Sequence, residues 1–241
     1  MKFISNYFFS ILLLFISVTL FAQETKIDSL PVKSDRYGLR VGADVYRLTR
    51  AFYDDNYKGL ELVGDFRFSK EIYLAAELGN ENYTKQDDRL NFTTKGSYLK
   101  AGADYNVYEN WLDMENLIYI GFRVGVSTFS QTLNSYTVYT PHPYFGESPT
   151  VQSGEEFKGL NAQWGEFVMG IKAELFSNLY AGFSVRFNRL FNNTKPSGFD
   201  NLYIPGFNRT YDGNFGVGFN YTISYFIPIY KVKKVAEKES K

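Results

Sequence analysis

The sequence contains no cysteine, a single histidine, and no surplus of either charge: 26 basic residues balance 26 acidic ones. Without cysteine there are no disulfides, no thiol chemistry and no lipid anchored through sulfur. With one histidine as well, a Cys/His zinc centre is excluded. Zero net charge gives no footing for a nucleic-acid partner. Beyond residue 22 no apolar run is long enough to cross a bilayer as a helix. What the chain has in abundance is aromatic rings, 20 Tyr and 23 Phe. Their location is the central question the composition raises.

The first residues read as an address rather than as structure. Lys2 provides a positive start, Tyr7–Phe21 is almost unbroken in its apolarity, and Ala22 supplies a small residue at the expected cut. Residues 1–22 are therefore expected to be a removed signal peptide. The competing reading is a retained anchor helix, but the run is short for a hydrocarbon core of about 30 Å. Residues 23–35 are polar, include Pro31, and read as a flexible periplasmic lead-in. Residues 231–241 read as a charged periplasmic tail.

Between these ends, one pattern recurs eight times, over residues 37–46, 59–68, 72–81, 98–107, 118–127, 164–175, 179–188 and 214–227. Each segment alternates apolar residues with polar residues or glycine, the period-2 signature of a strand with two unlike faces. In the first, Tyr37, Leu39, Val41 and Ala43 oppose Gly38, Arg40, Gly42 and Asp44; in the fifth, Ile118, Ile120, Phe122 and Val124 oppose Tyr119, Gly121, Arg123 and Gly125. The connections alternate as well. Thr49–Asn56, Asn82–Thr94, Ser130–Leu160 and Asn192–Gly213 are long; Ser69–Glu71, Glu109–Asn116 and Ser177–Asn178 are short. Long loops on one rim and short turns on the other are the plan of an outer-membrane barrel.

A soluble barrel shows the same alternation turned inside out, and volume separates the two. Eight strands enclose a space barely wide enough for side chains. The apolar face offers on the order of 40 residues, many of them large, which that space cannot hold. The expected fold is therefore all-β: an eight-stranded antiparallel up-and-down transmembrane β-barrel over residues 36–230, with apolar residues outside. In hydrocarbon a spanning sheet has to close on itself, because every backbone group needs an internal partner.

This arrangement sends Arg40, Arg67, Lys100, Arg123, Lys172 and Arg186 into the bore with Asp44, Glu61, Asp65, Glu77, Asp104, Glu166 and Glu174. Buried charges are tolerable only when paired and hydrogen-bonded, so a connected network filling the lumen is expected. The alternative use of such charges is ion selectivity in a narrow channel. Phe66, Phe68, Tyr105, Trp111 and Tyr225 are placed in one interfacial girdle, with Tyr46, Phe129 and Phe191 near the other rim. Pro228, lacking an N–H, is expected to end the pairing of the eighth strand.

The overall plan resembles the small OmpA/OmpX-type outer-membrane barrels. The stretches RYGLRVGAD from Arg36, YKGLELVGDFR from Tyr57, FTTKGSYLKAGADYN from Phe92, STFSQTLNSYTVY from Ser127 and NLYIPGFNRTYDGNFGVGFNYTISY from Asn201 are similar to an uncharacterised family of eight-stranded barrels from flavobacteria and other Bacteroidetes. That resemblance implies a fold and a location and supplies no site residues. Many outer-membrane barrels end in an aromatic insertion signal. Here a tail follows Tyr221–Ile229, so recognition by the assembly machinery would be internal.

Chemistry on the loops is sparse. His142 lies between two prolines in the longest loop, which suits a plain loop residue. The enzymatic reading pairs it as general base with Ser135, Ser148 or Ser153 in a lipid-modifying site, with no spacing to support it. Asp54-Asp55 and Asp87-Asp88 have no calcium-loop spacing. Gly216-x-Gly218 sits within a strand, so it is no nucleotide loop. No metal or cofactor is expected. Tyr136, Tyr139, His142, Tyr144 and Phe145, interspersed with prolines, are the candidate contacts for an extracellular partner or glycan. The reading is thus a non-enzymatic outer-membrane barrel with a structural or surface role. Its partners would be membrane lipids and, during insertion, the assembly machinery; a narrow channel and a lipid-modifying enzyme are the alternatives.

Overall fold

The computed structural model describes residues 34–108, 115–138, 149–196, 198, 200–209 and 214–233. Eight strands form a closed antiparallel ring in sequence order. They are β1 (Ser34–Asp44), β2 (Tyr57–Arg67), β3 (Ile72–Gln86), β4 (Leu90–Asn106), β5 (Leu117–Thr137), β6 (Thr150–Phe176), β7 (Leu179–Asn193) and β8 (Phe215–Lys233). One helix, α1 (Val45–Tyr53), follows β1. Pairing of β1 with both β2 and β8 closes the ring and leaves both ends of the barrel chain, Ser34 and Lys233, on one rim, the near end. The β1–β2, β3–β4, β5–β6 and β7–β8 connections lie at the far end.

The two faces of the wall separate as the alternation predicts. Leu39, Leu74, Phe122, Ile171 and Phe219 stand outward and are roughly half exposed, whereas Arg40, Glu77, Lys100, Glu166 and Arg186 point inward and are buried. Inward glycines are seats for large inward rings. An added Cβ at Gly79 would lie 2.3 Å from the Tyr98 ring, one at Gly125 2.3 Å from Trp164, and one at Gly170 2.5 Å from Tyr119. The glycine content of the lumen face is thus the counterpart of its aromatics: each ring lies flat over a bare stretch of backbone. A Gly170→Val substitution is expected to displace Tyr119 and destabilise the barrel by about 1–3 kcal/mol, the usual range for overpacking, as measured by urea unfolding in vesicles.

The strands run further than the alternation alone indicates. Residues 82–94, expected as a loop, are mostly hairpin: pairing continues to Gln86↔Asn91, and the Thr84 and Thr93 hydroxyls meet at 2.9 Å. Of the loop expected over Ser130–Leu160, the described residues 130–137 and 150–160 are likewise strand, paired out to Thr137↔Thr150 through register shifts near Phe129 and Leu133. The cause is physical. Beyond the apolar belt the outward face turns polar and Phe92, Phe129, Gln131 and Leu133 are buried inward, so the apolar-out alternation disappears, while the β-favouring Thr, Tyr and Phe residues continue.

Pro228 does not end β8. Pairing carries on to Ser34↔Lys233, and the register slips between Tyr37 and Gly38, leaving Ile229 as an extra residue opposite them. A bulge tolerates the missing N–H that a regular ladder would not. Phe129 also departs from expectation: it is buried in a cluster with Tyr98, Trp164 and Phe207 rather than set in an outer girdle. Trp111 lies outside the described residues.

β1 is the short stave. Its pairing with β2 stops at Ala43↔Leu62 and with β8 at Asp44↔Thr222. Tyr57–Glu61 of β2 and Phe215–Tyr221 of β8 therefore have no β1 partner, and the far end of the wall is notched there. α1 occupies this notch, packed chiefly on β2 and less on β8.

Candidate functional site

α1 begins where Asp44 turns from strand residue to helix cap. Its carboxylate accepts from the Tyr46 N–H at 2.8 Å and the Arg47 N–H at 3.4 Å, while its other oxygen accepts from Asn220 Nδ2 at 2.6 Å. This geometry directs Arg47 into the bore. There its guanidinium donates to Glu61 at 3.2 Å, to the Tyr57 hydroxyl at 3.3 Å and, closely, to Glu81. The alternation continues the first strand through VYRL and predicts a loop only from Thr49, so it points to neither the helix nor an inward Arg47. Nine residues are too few for helical periodicity to declare itself. The one legible signal is the capping-type Asp44 ahead of VYRL.

Below Arg47 the charges join into a continuous chain. Lys100 Nζ lies 3.8 Å from Glu61, 3.5 Å from Glu77 and 3.1 Å from Glu166. Arg186 forks onto both oxygens of Glu77, at 2.5 and 3.0 Å, and also reaches Glu166 at 3.3 Å. Arg123 bridges Asp104 at 2.8 Å and Glu77 at 3.7 Å. Neutral donors complete the acids: Tyr98 and Asn220 donate to Glu61 at 2.5 and 2.7 Å, and the Trp164 indole donates to Glu166 at 2.7 Å. Fork geometry and extra donors are what make buried ion pairs tolerable.

Other predicted charges stand apart from that chain. Asp65 takes Arg40 at 2.7 Å and Lys172 at 2.5 Å, with Arg40 lying between the Tyr73 and Tyr180 rings. Arg67 lies at the near rim, donating to the Arg36 and Lys70 carbonyls. Glu174 is also at that rim, paired with Arg36, which in turn holds Glu115 at 2.8 Å. Between the two groups lies a cavity of about 30 Å³ lined by Arg40, Glu77, Arg123 and Arg186. That is of the order of a single water's volume.

The far mouth is closed from above by a turn of the β7–β8 connection, a segment expected to extend outward. Ile204 accepts from the backbone N–H groups of Phe207 and Asn208, making a tight turn around Pro205-Gly206. Ile204 and Phe207 are fully buried, and Phe207 meets Trp164 edge-on at 5.9 Å. The Gly206 N–H donates to Glu81 at 2.8 Å, and the Tyr203 hydroxyl donates to the same carboxylate at 3.1 Å. Burial first, and then the Glu81 charge, hold that hydroxyl well above its ordinary pKa, so it remains a donor. Glu81 thus ties α1, β2 and the inserted turn together. The clue in the sequence is composition: Tyr203, Ile204 and Phe207 are three large apolar residues around a Pro-Gly turn in an otherwise polar loop.

Of the loop candidates, Tyr136 lies on β5, paired with Leu90 of β4 and Val151 of β6, and Ser135 and Ser153 lie in the same extended hairpin. Tyr139, His142, Tyr144, Phe145 and Ser148 lie outside the described residues. Among the described residues no cluster of acids or histidine has the arrangement of a metal site.

Two solved structures are similar in outline. One is Ail, the attachment invasion locus protein of Yersinia pestis, at 11% identity, covering 79% of this chain and 97% of that one with a TM-score of 0.39. The other is Neisserial surface protein A, NspA, at 11% identity, covering 84% and 99% with a TM-score of 0.42. Comparison with curated proteins found no match. A family model described as a domain of unknown function, DUF6048, matches residues 4–232, and the chain belongs to that family.

Proposed function

We propose that this chain is an integral outer-membrane barrel with a structural or surface-facing role, whose bore is closed to ions. One observation carries the reading: a closed sheet has its charges buried inside and its large apolar side chains uncovered outside. Phe122 is 54% and Ile171 51% exposed, while Glu61 and Glu166 are at 0%. Only a surrounding hydrocarbon makes that inversion favourable. On this reading residues 1–22 direct export, the near rim is periplasmic, and α1, the inserted turn and the β5–β6 hairpin face outward. Membrane lipids are the constant partner, the assembly machinery a transient one, and the hairpin tip the place for an extracellular partner or glycan.

The closed bore follows from packing. Paired charges with fork geometry occupy the middle, and Phe207, Ile204 and Arg47 cover the far mouth. Purified protein refolded into vesicles should migrate faster on a gel unboiled than boiled, and should be silent in planar bilayers under voltage. Steady conductance from correctly folded protein would refute the closed bore. Absence of the mobility difference, with the protein recovered in the soluble fraction, would refute the membrane barrel.

A further inference from the structure

The notch left by the short β1 is only partly filled. Between α1 and β8 remains a cavity of about 420 Å³, within the ordinary range of small-ligand sites. Its apolar side includes Tyr46, Phe92, Leu202, Val217 and Phe219. Val217 and Phe219 belong to the outward face of β8, 55% and 46% exposed, and Tyr46 meets Phe219 in a tilted ring pair at 4.8 Å. The cavity is therefore continuous with the outer apolar wall. Its polar side is basic. Arg50, Lys85 and Arg209 line it with a single carboxylate, Asp87. Arg50 is held over the Tyr57 and Tyr83 rings at 4.0 and 4.8 Å and pairs with Asp54, just beyond the lining, at 3.0 Å. Lys85 pairs with Asp87 at 3.0 Å. Arg47 also contributes to the lining, but its charge is committed to Glu61 and Glu81 inside the bore.

A basic recess that opens sideways onto an apolar wall matches one chemistry. We propose that the notch binds an anionic amphiphile. Its phosphate or carboxylate head would lie among Arg50, Lys85 and Arg209, and its chain along Val217 and Phe219 on the barrel's exterior. This rests on the membrane-barrel reading above. A freely soluble anion has no use for the apolar continuation, and a neutral lipid has none for the cations; charge complementarity together with continuity selects the amphiphile.

The test uses the full mature chain refolded into phosphatidylcholine vesicles with and without phosphatidylglycerol. The midpoint of the heat-dependent gel shift is the readout. Phosphatidylglycerol should raise it by about 3 °C, the scale expected when a ligand binds the folded state alone at several times its Kd. Lys85→Gln/Arg209→Gln should lose most of that rise. Lys95→Gln/Lys158→Gln, the same change of charge at exposed sites on β4 and β6, should retain it. Equal loss in both variants, or no effect of phosphatidylglycerol on a folded barrel, overturns the proposal while leaving the barrel reading intact. Failure to fold in either vesicle overturns the barrel reading instead. Soluble glycerol phosphate added to phosphatidylcholine vesicles should give little shift; a full shift would overturn the amphiphile as the ligand.

Discussion

Replacing Glu77 with Ala is expected to destabilise the barrel by about 3–5 kcal/mol, the range found when one partner of a buried ion pair is removed. The reason is its position. Glu77 accepts the Arg186 fork and lies within 4 Å of both Lys100 and Arg123, so its loss takes a carboxylate partner from three buried cations at once and leaves the network with excess positive charge. Against a total stability of roughly 5–15 kcal/mol, that is enough to reduce the folded yield sharply. Urea titration in vesicles, followed by tryptophan fluorescence, gives the measurement. Glu77→Leu/Arg186→Met should recover part of the loss, because it removes charge from both sides and replaces it with apolar volume. If Glu77→Ala costs less than about 1 kcal/mol, the network is screened by penetrating water, and the bore is not packed as described.

Gly206→Ala is expected to expel the inserted turn and leave the barrel standing. Gly206 has φ +81°, and an added Cβ would lie 2.5 Å from the Tyr98 ring. A left-handed conformation costs an ordinary residue about 1–2 kcal/mol, and the clash adds about 1–3. The turn itself is held by the burial of Ile204 and Phe207, the hydrogen bonds to Glu81 and one from Asn188 to the Phe207 carbonyl, with Gln131 bonding the residues just before it. Chymotrypsin should then cut at Tyr203 or Phe207 in the variant and spare both in the parent. The heat-dependent gel shift should persist, because the strands below do not depend on the turn. The variant should also stay electrically silent, since the paired charges beneath the turn remain. Conductance in Gly206→Ala would mean that the turn alone closes the bore.

The barrel was legible in the sequence wherever the wall separates two environments. Leu39 against Arg40 and Phe122 against Arg123 alternate because apolar side chains leave the wall as charged ones enter the bore, and that contrast fixes strand, face and count together. Legibility ended where the contrast did. Thr84–Gln86 and Ser135–Thr137 are strand ends with no buried face, and at Phe129, Gln131 and Leu133 the buried side chains point inward opposite polar ones, so the apolar-out alternation that marks the wall does not reach them. Arg47 was invisible for another reason. It enters the bore from a helix, at a place where the strand period, continued, would point it outward. Glu81 continues the inward series of β3, yet its importance depends on Arg47, Tyr57, Tyr203 and Gly206, partners from three separate parts of the chain. Such convergence is a property of the closed ring, which no local window contains.

β6 overshoots its neighbour. Its pairing with β7 begins only at Ala162, so Thr150–Leu160 has β5 as its sole strand neighbour among the described residues. At about 3.3 Å per residue that stretch extends roughly 40 Å along the strand. Its free edge bears Glu155, Glu156 and Lys158 and is kinked by two left-handed glycines, Gly154 and Gly159, features that discourage stray pairing with other chains. Such a mast separates two selective pressures in space. Residues at its top can drift, or be exchanged for others, with almost no penalty to the cylinder that carries them, while the cylinder's own sequence stays constrained by its interior.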